Sequence, residues 1–304
     1  MSNIRDILFE LGLNFEENAS LKKYNTWKLS GPAEFLVHIN TVQELTRLFP
    51  RLIQEKSQYF VLGKGSNILI PDEGVKGVVI KLGKTFESIK IDANEVTAGA
   101  ATSFIVFCLN VAKNGLSGME FGAGIPGSIG GAVAMNAGAH SSSVSQVLKS
   151  ITVLDGEGNV KKLLNEELNF EYRKSVIQNN DYIVLDATFE LEYADKETIV
   201  GLTTKNKDYR LSTQPLTAAS CGSVFKNPLP NYSGDLIQKA GLKGHKIGNA
   251  QISEKHGNFI VNLGNASSKD ILSLIDLAQK TVRDLYNIEL NPEVQILSKQ
   301  NLGE

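Results

Sequence analysis

One glycine-rich stretch constrains the fold of this chain more than any other feature: residues 122–139 read GAGIPGSIGGAVAMNAGA. Glycine reaches positive φ without the roughly 1–2 kcal/mol that a Cβ costs there, and it lets backbone N–H groups approach a ligand. Phosphate is a usual ligand of N–H groups presented in this way. A second stretch, Gly63-Lys64-Gly65-Ser66-Asn67, follows the apolar run Tyr59–Leu62. Two such loops predict a large phosphate-bearing ligand held along its length.

The first stretch also contains the G-x-G-x-x-G pattern of dinucleotide-binding folds, at Gly122, Gly124 and Gly127. That pattern is informative only where a strand runs directly into it and a helix opens from it. Here the preceding segment, Thr102–Asn114, has the apolar spacing of a helix and is followed by the linker Leu116–Phe121. We therefore disfavour a Rossmann fold.

Length and composition limit the classes of protein to which this chain can belong. The 304 residues suffice for two or three domains, and a net charge of −2 gives no electrostatic case for binding nucleic acid or membrane. No apolar run approaches the roughly 18 residues of a membrane helix, and the first residues have no signal-peptide core. Cys108 and Cys221 are the only cysteines, which excludes a disulfide framework. We expect a cytoplasmic protein.

The pattern of elements predicts an α+β fold without the strict alternation of a doubly wound sheet. Thr41-Val42-Gln43-Glu44 is a capping box that opens a helix to about Lys56, after a strand at Phe35–Ile39. The Gly63 loop then closes a β-α-β unit. Further strands are predicted at Ile68–Ile70, Val75–Leu82, Glu87–Ile91, Glu95–Gly99, Ser150–Leu154, Val160–Leu163, Tyr182–Tyr193, Phe259–Leu263 and Glu293–Leu297, and further helices at Lys196–Tyr209, Ser233–Ala240 and from Ser267 to about Tyr286.

Three segments carry side chains suited to chemistry. The run from Cys221 to Pro228 combines the Ser223 hydroxyl with an ammonium and an amide, but it lacks the G-x-S-x-G of a nucleophile elbow. A serine hydrolase using His245 or His256 stays a minor alternative, as does a purely structural loop. Arg173 can grip a carboxylate with two hydrogen bonds, or form a surface ion pair. Glu293 at a strand start is typical of a solvated residue. The histidines are too dispersed for a metal site.

Several separate motifs, in one order along nearly the whole chain, resemble the UDP-N-acetylenolpyruvoylglucosamine reductase (MurB) family. They are Asn25-Thr26, the GKGSN loop, GAGIPGSIGG with Asn136–Ala139, Tyr172–Ser175, Gly222–Pro228, Lys243-Gly244 with Ile247-Gly248, and Pro292–Val294. The short spacer between Arg173 and Tyr182 resembles the family's second type, which lacks a tyrosine-bearing loop over the substrate.

The resemblance implies an FAD-binding fold of the vanillyl-alcohol-oxidase (PCMH) type with two α/β subdomains, residues 1–83 plus 288–304 and residues 84–212. A C-terminal α+β domain, residues 213–287, would bind substrate. FAD would be held without a covalent bond by Gly63, Lys64, Gly65, Ser66, Asn67, Gly124, Ile125, Gly127, Ser128, Gly130, Gly131, Asn136, Ala137 and Gly138.

The family activity implied is reduction of UDP-N-acetylglucosamine enolpyruvate by NADPH, through FAD, in peptidoglycan synthesis. Ser223 would be the proton donor, and Arg173 and Glu293 would flank the substrate carboxylate. The expected substrate-binding residues are Asn227, Lys243, His256, Arg210 and Gln214. We expect a monomer with no metal. Two alternatives are another flavin oxidase of the same fold and a nucleotide-binding module without catalytic activity.

Overall fold

The computed structural model describes residues 4–297, which form helices and strands joined by loops. The helices are α1 (Ile4–Glu10), α2 (Val42–Gln54), α3 (Phe104–Lys113), α4 (Ile129–Ala134), α5 (Lys196–Thr213), α6 (Ser233–Lys239) and α7 (Ser268–Tyr286). The strands are β1 (Asn14–Ser20), β2 (Pro32–Ile39), β3 (Tyr59–Val61), β4 (Ile68–Leu69), β5 (Val75–Leu82), β6 (Ile89–Asp92), β7 (Glu95–Gly99), β8 (Leu116–Ser117), β9 (Gly138–Ala139), β10 (Ser142–Ser143), β11 (Leu148–Asp155), β12 (Val160–Leu164), β13 (Tyr182–Glu190), β14 (Glu192–Tyr193), β15 (Lys246–Ile247), β16 (Ala250–Ile252), β17 (Ile260–Asn262) and β18 (Gln295–Ile296). Within residues 4–297, every helix is too short or too polar to cross a bilayer.

The first sheet has the strand order β1-β2-β5-β3, with β2, β5 and β3 parallel to one another. The predicted capping box of α2 is confirmed, because Thr41 Oγ1 accepts from the Glu44 N–H (3.1 Å) and Glu44 Oε2 accepts from the Thr41 N–H (3.3 Å). The predicted β-α-β unit is present, but β5 lies between its two strands. The carboxyl ends of the parallel strands share one edge, where ligands of such sheets bind. The Gly63–Asn67 loop begins at this edge.

The second sheet has the order β12-β11-β13-β7-β6 and is antiparallel throughout. Helix α3 packs on it, with the rings of Phe107 and Phe189 4.7 Å apart. The single strand predicted for residues 182–193 is wrong in its second part. Strand β13 ends at Glu190, and Glu192–Tyr193 pair instead with Leu116–Ser117, inside the segment predicted as a linker. Buried Leu191 lies between the two strands.

The C-terminal region has the small sheet β15-β16-β17 with α6 and α7. Helix α7 begins with the capping box predicted from the sequence, since Ser267 Oγ accepts from the Asp270 N–H over 3.0 Å. The chain then returns to the first region, where β18 pairs in parallel with β4.

Two hydrophobic cores cover the opposite faces of the first sheet. One core joins residues such as Val37 and Ile80 to α1, α2 and the second sheet. The other joins Leu36 and Val79 to α7 and β17, and Trp27 lies within it, fully buried. Because this second core spans the first and the C-terminal regions, the boundaries at 83/84, 212/213 and 287/288 stay predictions. Residues 298–304 of the first predicted subdomain lie outside the described residues.

The glycine-rich stretch is more regular than the loop expected from its sequence. Residues Glu120–Gly124 form a 3₁₀ turn, and α4 occupies Ile129–Ala134. Ser128 Oγ accepts from the Gly131 N–H (3.4 Å) at the start of α4, and Ile129 and Val133 are fully buried. Glycine lowers helix propensity by about 1 kcal/mol, so the burial of this apolar face outweighs the local preference. Helix α1 and strand β1 were not predicted either.

Candidate active site

A cavity of about 310 Å³ lies where the two glycine-rich stretches, residues 221–223 and the segment before β18 meet. This volume falls in the range of small-molecule and cofactor sites. The predicted site residues that line it are Gly63, Lys64, Gly65, Ser66, Asn67, Ile125, Gly127, Ser128, Gly130, Gly131, Ala137, Gly138, Arg173, Arg210, Gln214, Ser223 and Glu293. Distant parts of the sequence therefore converge on one site.

The first loop is fixed by contacts in its second half, at Gly65, Ser66 and Asn67. Gly65 has φ +64°, and a Cβ there would lie 2.1 Å from the carbonyl oxygen of Tyr24, so only glycine fits. Ser66 Oγ donates to the carbonyl of Pro126 (2.8 Å), which joins the first loop to the second stretch. Asn67 Nδ2 donates to the main-chain carbonyl of Glu293 (3.0 Å). The loop thus ties the glycine-rich lining to the segment that carries Glu293.

Two predicted cofactor-binding residues, Gly124 and Asn136, lie behind the cavity lining. A Cβ on Gly124 would be 2.6 Å from Cδ of Arg210, so the glycine makes room for that side chain. The Asn136 side chain donates to the carbonyl of Glu171 (3.0 Å) and accepts from the Ser145 N–H (3.0 Å). Asn136 therefore supports the turn that precedes Arg173.

The cavity lining has polar groups that suit a dinucleotide such as FAD. Within residues 4–297, Arg210 Nε and Gln214 Oε1 are buried without a hydrogen-bond partner. Such groups cost about 1–3 kcal/mol each unless a ligand or water satisfies them. Glycines cradle the same space, since a Cβ on Gly63 would lie 2.5 Å from Ser128 Oγ. The residues present therefore fit a dinucleotide with polar and anionic groups.

Ser223 reaches the cavity because its loop pairs with the segment around Glu293. The Lys226 N–H donates to the carbonyl of Asn291 (2.9 Å), and the Glu293 N–H donates to the carbonyl of Val224 (2.7 Å). On the other side, the Asn258 side chain accepts from the Phe225 N–H (2.9 Å) and donates to its carbonyl (2.8 Å). These backbone contacts hold Ser223 beside Glu293 at the cavity wall.

Arg173 and Glu293 form a largely buried ion pair at the cavity. The Arg173 side chain donates from Nε to Glu293 Oε1 over 2.8 Å and from Nη2 to the carbonyl of Gly138 over 2.9 Å. The two side chains are 19% and 15% exposed. Burial raises the pKa of Glu293 above its ordinary value, although the charges of Arg173 and Lys226 oppose this shift. A carboxyl with a raised pKa can donate a hydrogen bond as well as accept one.

Arg210 adds a second guanidinium to the same cavity. Burial, followed by the like charge of Arg173, lowers its pKa to about 10, so it stays cationic at neutral pH. Two cations with few nearby anions favour a ligand that carries negative charge.

Asn227, Lys243 and His256 lie around α6, outside the cavity lining. Asn227 Oδ1 accepts from the Ser233 N–H (3.1 Å), and Lys243 Nζ donates to Gln238 Oε1 (3.2 Å). Burial lowers the pKa of His256, Asp235 raises it, and the charges of Lys243 and Arg210 lower it further. His256 therefore lies within electrostatic range of both Lys243 and Arg210.

The sequence analysis missed cavity residues that lie outside the glycine-rich motifs, Lys81 above all. Lys81 interrupts the otherwise apolar end of β5. A lysine near the carboxyl end of a predicted parallel strand was the signal that could have found it. Met135 and Gln295 were also missed, and Gln295 Nε2 lies 3.4 Å from Met135 Sδ.

Fold and cavity together define a flavin-dependent oxidoreductase with an FAD-binding fold of the vanillyl-alcohol-oxidase (PCMH) type. A model of the FAD binding domain matches residues 33–164. The fold is shared with Phl p 4.0202, a glucose dehydrogenase, at a TM-score of 0.50 and 13% identity over 63% of this chain and 44% of that one.

Relatives of higher sequence identity show the family to which this chain belongs. A model of the UDP-N-acetylenolpyruvoylglucosamine reductase C-terminal domain matches residues 214–297. The UDP-N-acetylenolpyruvoylglucosamine reductase of Bacillus subtilis is 46% identical over 92% of this chain and 93% of its own. The crystal structure of the enzyme from Thermus caldophilus matches at a TM-score of 0.79 and 36% identity, over 94% of this chain and 99% of that one. This chain belongs to the UDP-N-acetylenolpyruvoylglucosamine reductase family. The resemblance is thereby confirmed, whereas assignment to the second type stays a prediction.

Proposed function

We propose that this protein reduces UDP-N-acetylglucosamine enolpyruvate to UDP-N-acetylmuramate with electrons from NADPH, in the synthesis of peptidoglycan precursors. The observation that carries the proposal is the meeting of Ser223, Arg173 and Glu293 on one cavity lined by both glycine-rich stretches. The names of its relatives support the same reaction.

The two glycine-rich stretches would hold FAD, with backbone N–H groups of Gly63–Asn67 directed to its phosphates. Bound FAD would supply the hydride chemistry that links NADPH to the methylene carbon of the enolpyruvyl group. Buried Arg210 and Gln214 provide polar contacts for a nucleotide at the cavity wall.

Arg173 and Glu293 would stabilise the charge that develops on the substrate. Addition of hydride to the methylene carbon leaves negative charge on the neighbouring carbon, from which it spreads into the substrate carboxylate. The Arg173 guanidinium neutralises this charge. Glu293 in its protonated form, which burial favours by raising its pKa, would donate a hydrogen bond to the same group. Both side chains are already placed by the 2.8 Å contact between them.

Ser223 would complete the reaction by giving the proton of its Oγ to the carbon that carries the charge. A serine hydroxyl is a weak acid, but an enolate is a strong base, so the transfer runs downhill. Lys226, whose charge acts on Glu293, favours the serine alkoxide that remains. General acid catalysis of this kind contributes typically ~10²–10⁴-fold.

The cluster around α6 would bind the UDP-sugar. His256 lies within electrostatic range of both Lys243 and Arg210, so cationic and polar groups can meet the substrate's diphosphate and sugar. Asn227 connects this cluster to the Ser223 loop through its contact with Ser233. The predicted domain of residues 213–287 would thus cover the FAD site. We assign the protein to the cytoplasm, in keeping with its two buried free thiols. We also assign it as a monomer.

Consumption of NADPH, followed by its absorbance, tests the proposal. The purified protein should be yellow with bound flavin, and it should oxidise NADPH rapidly only when UDP-N-acetylglucosamine enolpyruvate is present. Oxidation of NADPH at the same rate with oxygen alone would identify an oxidase of the same fold instead. A colourless protein that takes up no FAD would be a binding module and would overturn the proposal.

A further inference from the structure

Lys81 lies on the floor of the cavity, on a strand at the centre of the first sheet. Strand β5 has β2 on one side and β3 on the other, both parallel to it, and Lys81 is its penultimate residue. It is therefore at the sheet edge where the carboxyl ends of parallel strands meet a ligand. Its side chain lines the cavity together with the whole Gly63–Asn67 loop.

The Lys81 ammonium holds the start of that loop in place through hydrogen bonds. Nζ donates to the carbonyl of Leu62 (3.2 Å) and to the carbonyl of Gly63 (2.5 Å). A lysine ammonium has three donors, so among the described residues these contacts leave one for a ligand.

Lys64 lies in the loop itself but has a different environment. Its ammonium is 3.2 Å from Glu87, and the two side chains are 39% and 44% exposed. Its charge is therefore largely compensated and screened by solvent. Lys81 is the better-placed cation for a ligand phosphate.

We propose that Lys81 is a cofactor-binding residue that contacts the diphosphate of FAD and holds the Gly63–Asn67 loop in the shape that receives it. The proposal rests on the FAD cofactor of the family, but it does not depend on the substrate that the enzyme reduces. A charge-assisted contact of this type is lost when either partner loses its charge.

The charge of Lys81 depends on pH, so the affinity for FAD should depend on pH as well. Burial, and then the like charge of Lys64, lowers the pKa of Lys81 to about 8, while Glu87 raises it. From β2, His38 lies in register with Lys81, and its ring is paired with Glu16 at 3.2 Å. A diphosphate beside Lys81 restores its pKa, so binding of FAD takes up a proton near pH 8.5.

The test compares FAD with riboflavin, which lacks the diphosphate and the adenosine attached to it. Holoenzyme is dialysed to equilibrium against mixtures of FAD and riboflavin, and the bound flavins are measured to give the ratio of their affinities. In Lys81→Met this preference for FAD should fall at least about tenfold, the loss expected for a hydrogen bond to a charged group. The matched variant Lys76→Met, at an exposed lysine of the same strand outside the cavity lining, should change the preference less than about threefold.

A preference in Lys81→Met equal to that of the wild type would overturn the proposal, because both the Lys81 contact and the loop shape act on the diphosphate that riboflavin lacks. The unmodified protein provides a second measurement that needs no variant. Between pH 7 and pH 9 the preference for FAD should fall about tenfold, since only about one tenth of Lys81 stays protonated at pH 9. A preference that does not change with pH would also contradict the proposal. Neither measurement uses the enolpyruvyl substrate, so each stands apart from the proposed reaction.

Discussion

Nε of Arg173 donates to Oε1 of Glu293 over 2.8 Å, across a sequence separation of 120 residues. Arg173 reaches this position from a left-handed backbone conformation, with φ +58°, and its other nitrogen is held by the carbonyl of Gly138. The contact joins the second sheet region to the segment that returns beside β4. It brings the two charged groups of the proposed reaction together at one point of the cavity wall.

The first prediction concerns the proton on Glu293. Glu293→Gln keeps an acceptor for Arg173 but cannot titrate. The Gln amide can still donate a hydrogen bond to the developing anion, so we expect the reaction of reduced enzyme with the enolpyruvyl substrate to stay within about tenfold of wild type at low pH and to lose its dependence on the protonation of residue 293. In the wild type this rate should fall as the pH rises through the raised pKa of Glu293, because only the protonated carboxyl donates. Stopped-flow measurements across pH should show this decline in the wild type and not in the variant.

The Glu293 carboxyl also affects how the free energy of unfolding depends on pH. Burial makes Glu293 release its proton at higher pH in the folded state than in the unfolded state, whose pKa is near 4.5. Between these two values the unfolded state binds fewer protons, so the free energy of unfolding falls as the pH rises. In Glu293→Gln the curve of stability against pH should be flatter over this window in urea titrations. An identical slope in both proteins would contradict the raised pKa.

The second prediction separates the two halves of the reaction at Ser223. Ser223→Ala removes the proposed proton donor without touching the glycine-rich stretches. Reduction of the flavin by NADPH should stay within about twofold of wild type, while oxidation by the enolpyruvyl substrate slows ~10²–10⁴-fold. Ser220→Ala is the matched control, since Ser220 does not line the cavity. Equal slowing of both half-reactions would remove Ser223 from the acid role.

The third prediction uses the close approach of Gly63 to Ser128. A Cβ on residue 63 would lie 2.5 Å from Ser128 Oγ but 3.5 Å from Ser128 Cβ, which is ordinary contact. Gly63→Ala alone should therefore lose bound FAD on dilution, whereas Gly63→Ala with Ser128→Ala should recover most of it. The recovery exceeds additivity because the second change removes the clashing atom. Flavin absorbance relative to protein absorbance measures retention, and a double variant no better than Gly63→Ala would refute the steric explanation.

The fourth prediction concerns the attachment of the C-terminal region. Trp27 Nε1 donates to the carbonyl of Ile260 (2.8 Å), and Asn262 Nδ2 donates to the carbonyl of Trp27 (2.7 Å). Trp27→Phe leaves the Ile260 carbonyl without this donor inside the core, so we expect a loss of about 1–3 kcal/mol in the free energy of unfolding. Circular dichroism in urea measures the change. Tyr193→Phe, at a side chain that is mostly exposed, should change it by less than about 0.5 kcal/mol.

Local features of the fold were predictable because their causes are local. The capping boxes of Thr41 with Glu44 and of Ser267 with Asp270 need only four consecutive residues, and both are confirmed. Helix α4 was not predicted because Gly130 and Gly131 disfavour a helix, and only the buried contacts of Ile129 and Val133 stabilise it.

The site could be located from motifs, but its assembly could not. Taken alone, Arg173 and Glu293 were each more typical of surface residues, and the resemblance to a family was what linked them. Their contact depends on the pairing of Glu293 with Val224 and of β18 with β4, which are long-range backbone contacts with no local signature. Lys81 was missed for a similar reason, since its position below the loop follows from the order of strands.

The return of β18 to β4 has a consequence for how the protein is made. Glu293 is the last of the proposed catalytic residues to be synthesised, and its segment closes the cavity by hydrogen bonding to Asn67. A nascent chain still tethered to the ribosome before this segment emerges has both glycine-rich stretches but lacks one wall of the site. Catalytic competence therefore arises only after translation has passed this segment, so an incomplete chain cannot begin turnover.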